Sequence, residues 1–145
     1  MSFFSSIDTS ASGLTAERLR MDLISDNIAN AETTRTPSGG PYRRKIPIYR
    51  ELEKNKFEKV LADAKGESSS GGVEIVGIEE DQSDFKRKYD PSHPDSNKDG
   101  YVLLPNVDTV TEMVNMVSAS KAYEANVTAL NSTKSMVMKA LEIGK

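Results

Sequence analysis

The only histidine of the chain, His93, stands between Asp90 and Asp95 in the stretch Asp90-Pro91-Ser92-His93-Pro94-Asp95. An imidazole beside carboxylates could serve a metal or a Ser-His-Asp arrangement. A metal site, however, needs a third and fourth ligand, and the sequence points to none. The chain has 0 Cys, so thiolate ligands, disulfides and cysteine nucleophiles are excluded. No nucleophile elbow or phosphate-binding loop occurs. Asp95-x-Asn97-x-Asp99-Gly100 matches the first half of a calcium loop, and Val102 falls where such loops carry an apolar residue. The twelfth position is Asn106 instead of a bidentate glutamate, and Pro105 precedes it. The same residues are ordinary turn formers. Arg43-Arg44-Lys45, following Arg35, is the one basic cluster. It could meet an acidic neighbour or anionic lipid, or it could be a solvated arm. These residues lead us to expect no catalytic group, no cofactor and no metal.

Composition narrows the classes further. A formal net charge of -3 argues against a nucleic-acid binder. With 37% hydrophobic residues and 0 Trp over 145 residues, a compact core would be modest, so apolar surface is expected to be buried against neighbours. No apolar run approaches the roughly 18 residues that span a bilayer, so no direct membrane insertion is expected. The opening Met1-Ser2-Phe3-Phe4-Ser5-Ser6 lacks the charged and long apolar segments of a cleaved signal. That fits a cytoplasmic protein or one exported without cleavage.

Three regions must position these residues: an N-terminal helix (1–32), an extended and partly β middle (33–106), and a C-terminal helix (107–145). Over 5–30, Ile7, Leu14, Met21 and Ile28 recur every seven residues. Ala16, Leu19 and Leu23 form a second line on roughly the opposite face, and Ser5-x-x-Asp8 could be a capping box. Gly13 inside this pattern costs about 1 kcal/mol against Ala, which suggests close approach by another helix. In the middle, Pro37, Gly39, Gly40 and Pro41 mark an arm, 51–65 a short helix and 66–72 a Ser/Gly-rich tip. Residues 73–78 and 85–89 read as two strands joined by the acidic turn at Asp81, and 101–104 as another.

The helix over 108–143 is the strongest pattern, with Thr109-x-x-Glu112 as a capping box and Asp108 as a competing cap. Met116, Tyr123, Leu130 and Val137 recur every seven residues, with Met113, Ser120, Val127, Lys134 and Leu141 as a companion line. At 1.5 Å per residue the helix would be roughly 50 Å long, beyond what the small middle could cover. Val110, Val114 and Val117 lie away from the main line. Two terminal helices with two apolar faces each need two partners. One is the other end of the same chain, and the second must come from another subunit. The fold class that follows is mainly α with a small β part, its long end helices paired as an antiparallel coiled-coil-like layer. Helices that a lone chain cannot cover are expected to be largely unformed in the monomer and to fold on assembly.

Ser12-Gly13-Leu14 followed by Asn27-Ile28-Ala29-Asn30-Ala31 resembles the N-terminal signature of flagellar rod and hook axial proteins. Glu112-Met113-Val114 and Ala122-Tyr123-Glu124-Ala125-Asn126 resemble their C-terminal signature. Arg35-Thr36-Pro37-Ser38-Gly39-Gly40-Pro41-Tyr42-Arg43-Arg44, Tyr89-Asp90-Pro91-Ser92-His93-Pro94 and Gly100-Tyr101-Val102-Leu103-Leu104-Pro105-Asn106-Val107-Asp108 are similar to the proximal-rod protein C type. The likeness spans nearly the whole chain and is weakest over 46–72. Lys121 stands where Arg is common in the wider family, which keeps the charge but not the bidentate fork.

The resemblance implies a structural, non-enzymatic subunit of the flagellar basal body. It implies export through the flagellar type III apparatus without signal cleavage, and helical stacking into a hollow shaft across the periplasm. Implied partners are copies of itself, other rod subunits and the base joining the rod to the membrane ring. The expected assembly interface is Ile7, Leu14, Met21, Ile28, Asn27 and Asn30 on the first helix. On the last it is Met113, Met116, Tyr123, Asn126, Val127, Leu130, Val137 and Leu141. Asn27 and Asn30 would cap the first helix or fix register. The alternative is a small soluble coiled-coil module whose middle region binds calcium or a peptide.

Overall fold

A computed structural model describes residues 3–52 and 71–143. Two long helices dominate it: α1 (Phe3–Ala29) and α2 (Thr109–Ile143), 27 and 35 residues long. Four strands lie between them: β1 (Lys45–Glu51), β2 (Val73–Glu80), β3 (Lys86–Tyr89) and β4 (Tyr101–Leu104). The helices pack against each other and the strands form two separate two-stranded sheets. The expected helix over 51–65 and the tip over 66–72 fall almost entirely outside the described residues, and Glu51 closes β1.

The helices run antiparallel. Asn27 meets Glu112 at one end, and Gly13 faces Asn126 toward the other. These positions are fourteen residues apart on both helices, so the register holds along the pair. A β-carbon on Gly13 would stand 3.0 Å from Asn126 Nδ2. The glycine therefore lets the helices approach closely, as its place in the pattern implied.

Three details differ from the sequence reading. First, α1 begins before Ser5, so Ser5 and Asp8 lie inside the helix and form no capping box. At α2 the cap is Asp108, whose carboxylate accepts the Val110 amide at 3.1 Å, while Glu112 is buried elsewhere. Second, β2 and β3 are not partners across the Asp81 turn. β2 pairs with β1, and β3 with β4. The β1 sequence, Lys45-Ile-Pro-Ile-Tyr-Arg-Glu51, contains Pro47 and a bulge at Ile48/Tyr49, which hid its period.

Third, the line Ala16–Leu19–Leu23 needs no other subunit. The β1–β2 sheet covers it, with Ala16 and Leu23 buried. The Ser12 hydroxyl accepts the Val73 amide at 3.1 Å, and the Thr9 hydroxyl donates to the Gly71 carbonyl at 3.0 Å. Under β3–β4, Val102, Pro105 and Val107 form a second small core beside the start of α2.

Candidate assembly interface and its buried junction

The helix–helix seam alternates large residues with small and polar ones. From α2 it takes Glu112, Met116, Ala119, Tyr123, Asn126, Leu130 and Thr133, alternating three and four apart as a heptad seam requires. Met116, Tyr123 and Leu130 thus sit where the sequence placed them. Their companions are Glu112, Ala119, Asn126 and Thr133, not Met113, Ser120, Val127, Lys134 and Leu141. The heptad runs four residues back from Met116, to the buried Glu112, instead of three, to the exposed Met113. Met113 and Leu141 are exposed, Leu141 by 66%.

The residues of the expected companion line, with Ile7, Leu14, Met21 and Ile28, lie off the seam. At about 100° per residue they fall on one flank of each helix. Ile7, Leu14, Met21, Ile28, Ser120 and Val127 are half-buried there. In an antiparallel pair the two flanks adjoin, and they form the side away from the β1–β2 sheet. Among the described residues no element covers that side. Val137 is half-buried near the end of α2. Val110, Val114 and Val117 are exposed, Val110 by 71%.

Where α1 ends and α2 begins, the two helices and the strands are joined by a buried polar junction. Asn27 is 0% and Glu112 1% exposed. The Asn27 carboxamide oxygen accepts the Lys45 amide at 2.9 Å and the Tyr42 hydroxyl at 3.0 Å. Its nitrogen donates to the Lys45 carbonyl at 2.9 Å and to Glu112 Oε2 at 3.2 Å. Asn27 thus pairs with Lys45 as a neighbouring strand would, and pins the start of β1 to α1. Arg44 donates to Glu112 Oε1 from Nε (3.0 Å) and Nη2 (2.8 Å). The Arg44 amide donates to Asn106 Oδ1 at 2.8 Å, and Asn106 Nδ2 donates to the Asp81 carbonyl at 2.9 Å.

Every buried side-chain nitrogen and oxygen among the described residues has a partner. That is the condition under which a buried charge is tolerated. Burial, reinforced by the charges of Asp26, Glu80 and Glu112, pushes the Tyr42 hydroxyl up to about 12. The Ser83 amide and hydroxyl hold the half-buried Asp81 carboxyl below its usual range, with Arg44 adding to the effect. Sequence reasoning gave Asn27 a register role and flagged Arg44 only within a basic cluster that could meet an acidic neighbour, but it did not place Glu112, Tyr42 and Asn106 at one junction. The available signal was a glutamate at a seam position of α2, where a lone carboxylate could not stay unpaired.

The other singled-out residues have local duties. Asn30 caps α1, its Nδ2 donating to the Asp26 carbonyl at 2.9 Å. His93 Nδ1 accepts the Asp95 amide at 3.1 Å. Asn97 Oδ1 accepts the amides of Asp99 and Tyr101, and Asp95 accepts the Thr34 hydroxyl at 2.8 Å. Lys121 pairs with Glu124 at 2.7 Å on the surface. Among the described residues no three His, Asp or Glu side chains converge as a metal site would require, and no helix is long and apolar enough to cross a membrane.

Both helices match known sequence families. Residues 7–35 match a family described as flagella basal body rod protein, and residues 98–143 the C-terminal region described for flagellar basal body rod FlgEFG proteins. The flagellar basal-body rod protein FlgC of Borreliella burgdorferi is 52% identical, with 99% of this chain and 98% of that protein covered. The chain belongs to the FlgC family of flagellar basal-body rod proteins. FlgC of Bacillus subtilis is 49% identical and FlgC of Salmonella typhimurium 37%, each over 100% of both chains. Both matched segments lie on the FlgC-family chain where the paired helices are. The junction residues Asn27 and Glu112 fall one in each segment.

Proposed function

We propose that the chain is a structural subunit of the proximal rod of the flagellar basal body, and that it polymerises helically into the drive shaft. The observation that carries this reading is the side of the helix pair that no described element covers, in a chain of the FlgC family. There the apolar line Ile7–Leu14–Met21–Ile28 adjoins the half-buried flank of α2. Neighbouring rod chains would dock on it, so that one face meets a different face of the next subunit, as open helical assembly needs. Partners are copies of this chain, other rod subunits, the rod's base at the membrane ring, and the type III apparatus that exports the chain uncleaved to the periplasm. Residues 1–32 and 107–145 form the inner layer and 33–106 the outer part. The chain catalyses nothing.

The test is Leu14→Asp or Leu130→Asp, expressed in place of a host's own chain of this family. Burying an unpaired carboxylate costs several kcal/mol. The chain is therefore expected to be made and exported at full length, but not built into rods. Normal motility with either variant would sink this reading of the interface.

A further inference from the structure

The seam is keyed at three points, seven residues apart on each helix. Asn27 meets Glu112, Gly13 faces Asn126, and midway between them the register sets Arg20 opposite Ala119. Each point joins unlike residues. The buried Glu112 takes Arg44 and Asn115 on one carboxylate oxygen and Asn27 on the other. Arg44 reaches it from the residue before β1, and Asn27 holds the start of β1 on α1. The half-buried Arg20 pairs with Glu17 of its own helix at 3.5 Å, and the Ala119 opposite it is fully buried. Asn126 fits because Gly13 has no side chain.

Neither helix offers these complements to its own kind. Two copies of α2, laid antiparallel with the same residues in contact, centre on Ala119. Glu112 of one then faces Asn126 of the other, and its carboxylate enters the seam without Arg44 or Asn27. A buried charge deprived of its counter-ion is strongly disfavoured. Two copies of α1 laid in the same way centre on Arg20 and set like charges against each other. Apolar area for a wrong pairing is nonetheless at hand, since Val110, Val114 and Val117 of α2 are exposed.

We propose that the polar residues of the seam select its partner: α2 pairs with an α1 helix and is barred from pairing with the α2 of a second copy. Glu112 decides, because its charge is tolerated only where α1 brings Asn27 and Arg44 to it. A single polar residue in a helix seam sets partner and register in this way, at a cost in stability. The selection acts within the seam, so it stands apart from whatever docks on the open side of the pair.

The chain has 0 Cys, so one engineered cysteine reports alone. In the native pair Ala119→Cys is buried against α1, whereas in an α2–α2 pair two such cysteines face each other within disulfide reach. The purified full chain is equilibrated in a glutathione redox buffer and read on a non-reducing gel. Ala119→Cys alone is expected to stay monomeric. Adding Glu112→Gln keeps the size and removes the charge, so the carboxamide can pair with Asn126 of the second copy. The disulfide dimer is expected to rise several-fold. Val102→Ala opens a cavity under β3–β4, away from the seam, and is expected to add no dimer to Ala119→Cys. Should the glutamine chain not fold, Glu112→Met with Arg44→Met replaces it, with the same expected rise. No rise over Ala119→Cys alone, or an equal rise with Val102→Ala, overturns the selection.

Discussion

Glu112 carries a carboxylate into a helix–helix seam at 1% exposure, and its worth depends on Arg44. Removing one partner of such a pair leaves the other charge stranded, at about 3–5 kcal/mol, whereas replacing both with well-packed apolar residues is often near neutral. We expect Glu112→Ala to lower stability in urea by about 3 kcal/mol, and Glu112→Met with Arg44→Met to recover much of that. Additive losses in the double variant would show that the two side chains act independently.

Tyr42 gives a pH signature at the same junction. Its folded-state pKa is raised from 10.0 to about 12, so the neutral phenol is favoured by folding. The folded chain then binds more protons than the unfolded one across that window, and stability falls as pH rises from 10 toward 12. Below pH 10 the contribution is complete. Tyr42→Phe should be less stable at pH 7, having lost a hydrogen bond to Asn27, and should show a shallower alkaline decline than the native chain. Parallel declines would place the effect elsewhere. At the Asp95–Gly100 turn, the side-chain oxygens of Asn97 and Asn106 are already committed to amides. Calorimetry is expected to find no stoichiometric micromolar calcium binding, and such binding at this turn would favour the binding-module alternative.

At the scale of elements, the seam trades apolar area for closeness. Gly13 and the fully buried Ala119 let the helix backbones come together, and Asn126 fills the space over Gly13 while bonding the Ala122 carbonyl at 3.1 Å. A larger residue at 13 must push the helices apart. Gly13→Leu should cost about 1–3 kcal/mol by overpacking, despite leucine's better helix propensity. Asn126→Ala should relieve part of that cost. Thermal unfolding of the four chains of this cycle measures it, and equal penalties with and without Asn126 would mean that the side chain at 13 does not clash with Asn126.

At the scale of the molecule, a pair of this length, with Glu112, Ala119, Asn126 and Thr133 at every second seam position, is weakly held by its own contacts. Among the described residues the β1–β2 sheet covers one side of the pair, and Val110, Val114, Val117, Met138 and Leu141 stay exposed. Most helix stability comes from packing, so these helices should gain much of theirs on assembly. Hydrogen exchange on dilute monomer should therefore show weak protection across residues 14–28 and 116–141. Strong protection there, without oligomers, would mean that a stable hairpin exists before assembly and that subunits dock as preformed parts.

The long helices, their pairing and the line Met116–Tyr123–Leu130–Val137 were legible in the sequence, because a 3.6-residue period over seven or more turns is a local, repeated signal. So were Gly13 as a point of close approach and the family signatures at both ends. The short strands β2, β3 and β4 were placed nearly to the residue, but their partners were not. Pairing is a long-range choice that alternation alone does not encode, and β1 was masked by Pro47 and its bulge. The seam's second line was also beyond reach, since Met113 and Glu112 both fit a helix face. Only the tertiary structure brings Arg44, Tyr42, Asn27 and Asn106 to Glu112, from positions up to 85 residues apart. Once those partners are present the Glu112 carboxylate sits in the seam with its oxygens bonded and no charge stranded, and Met113 is left on the exposed flank.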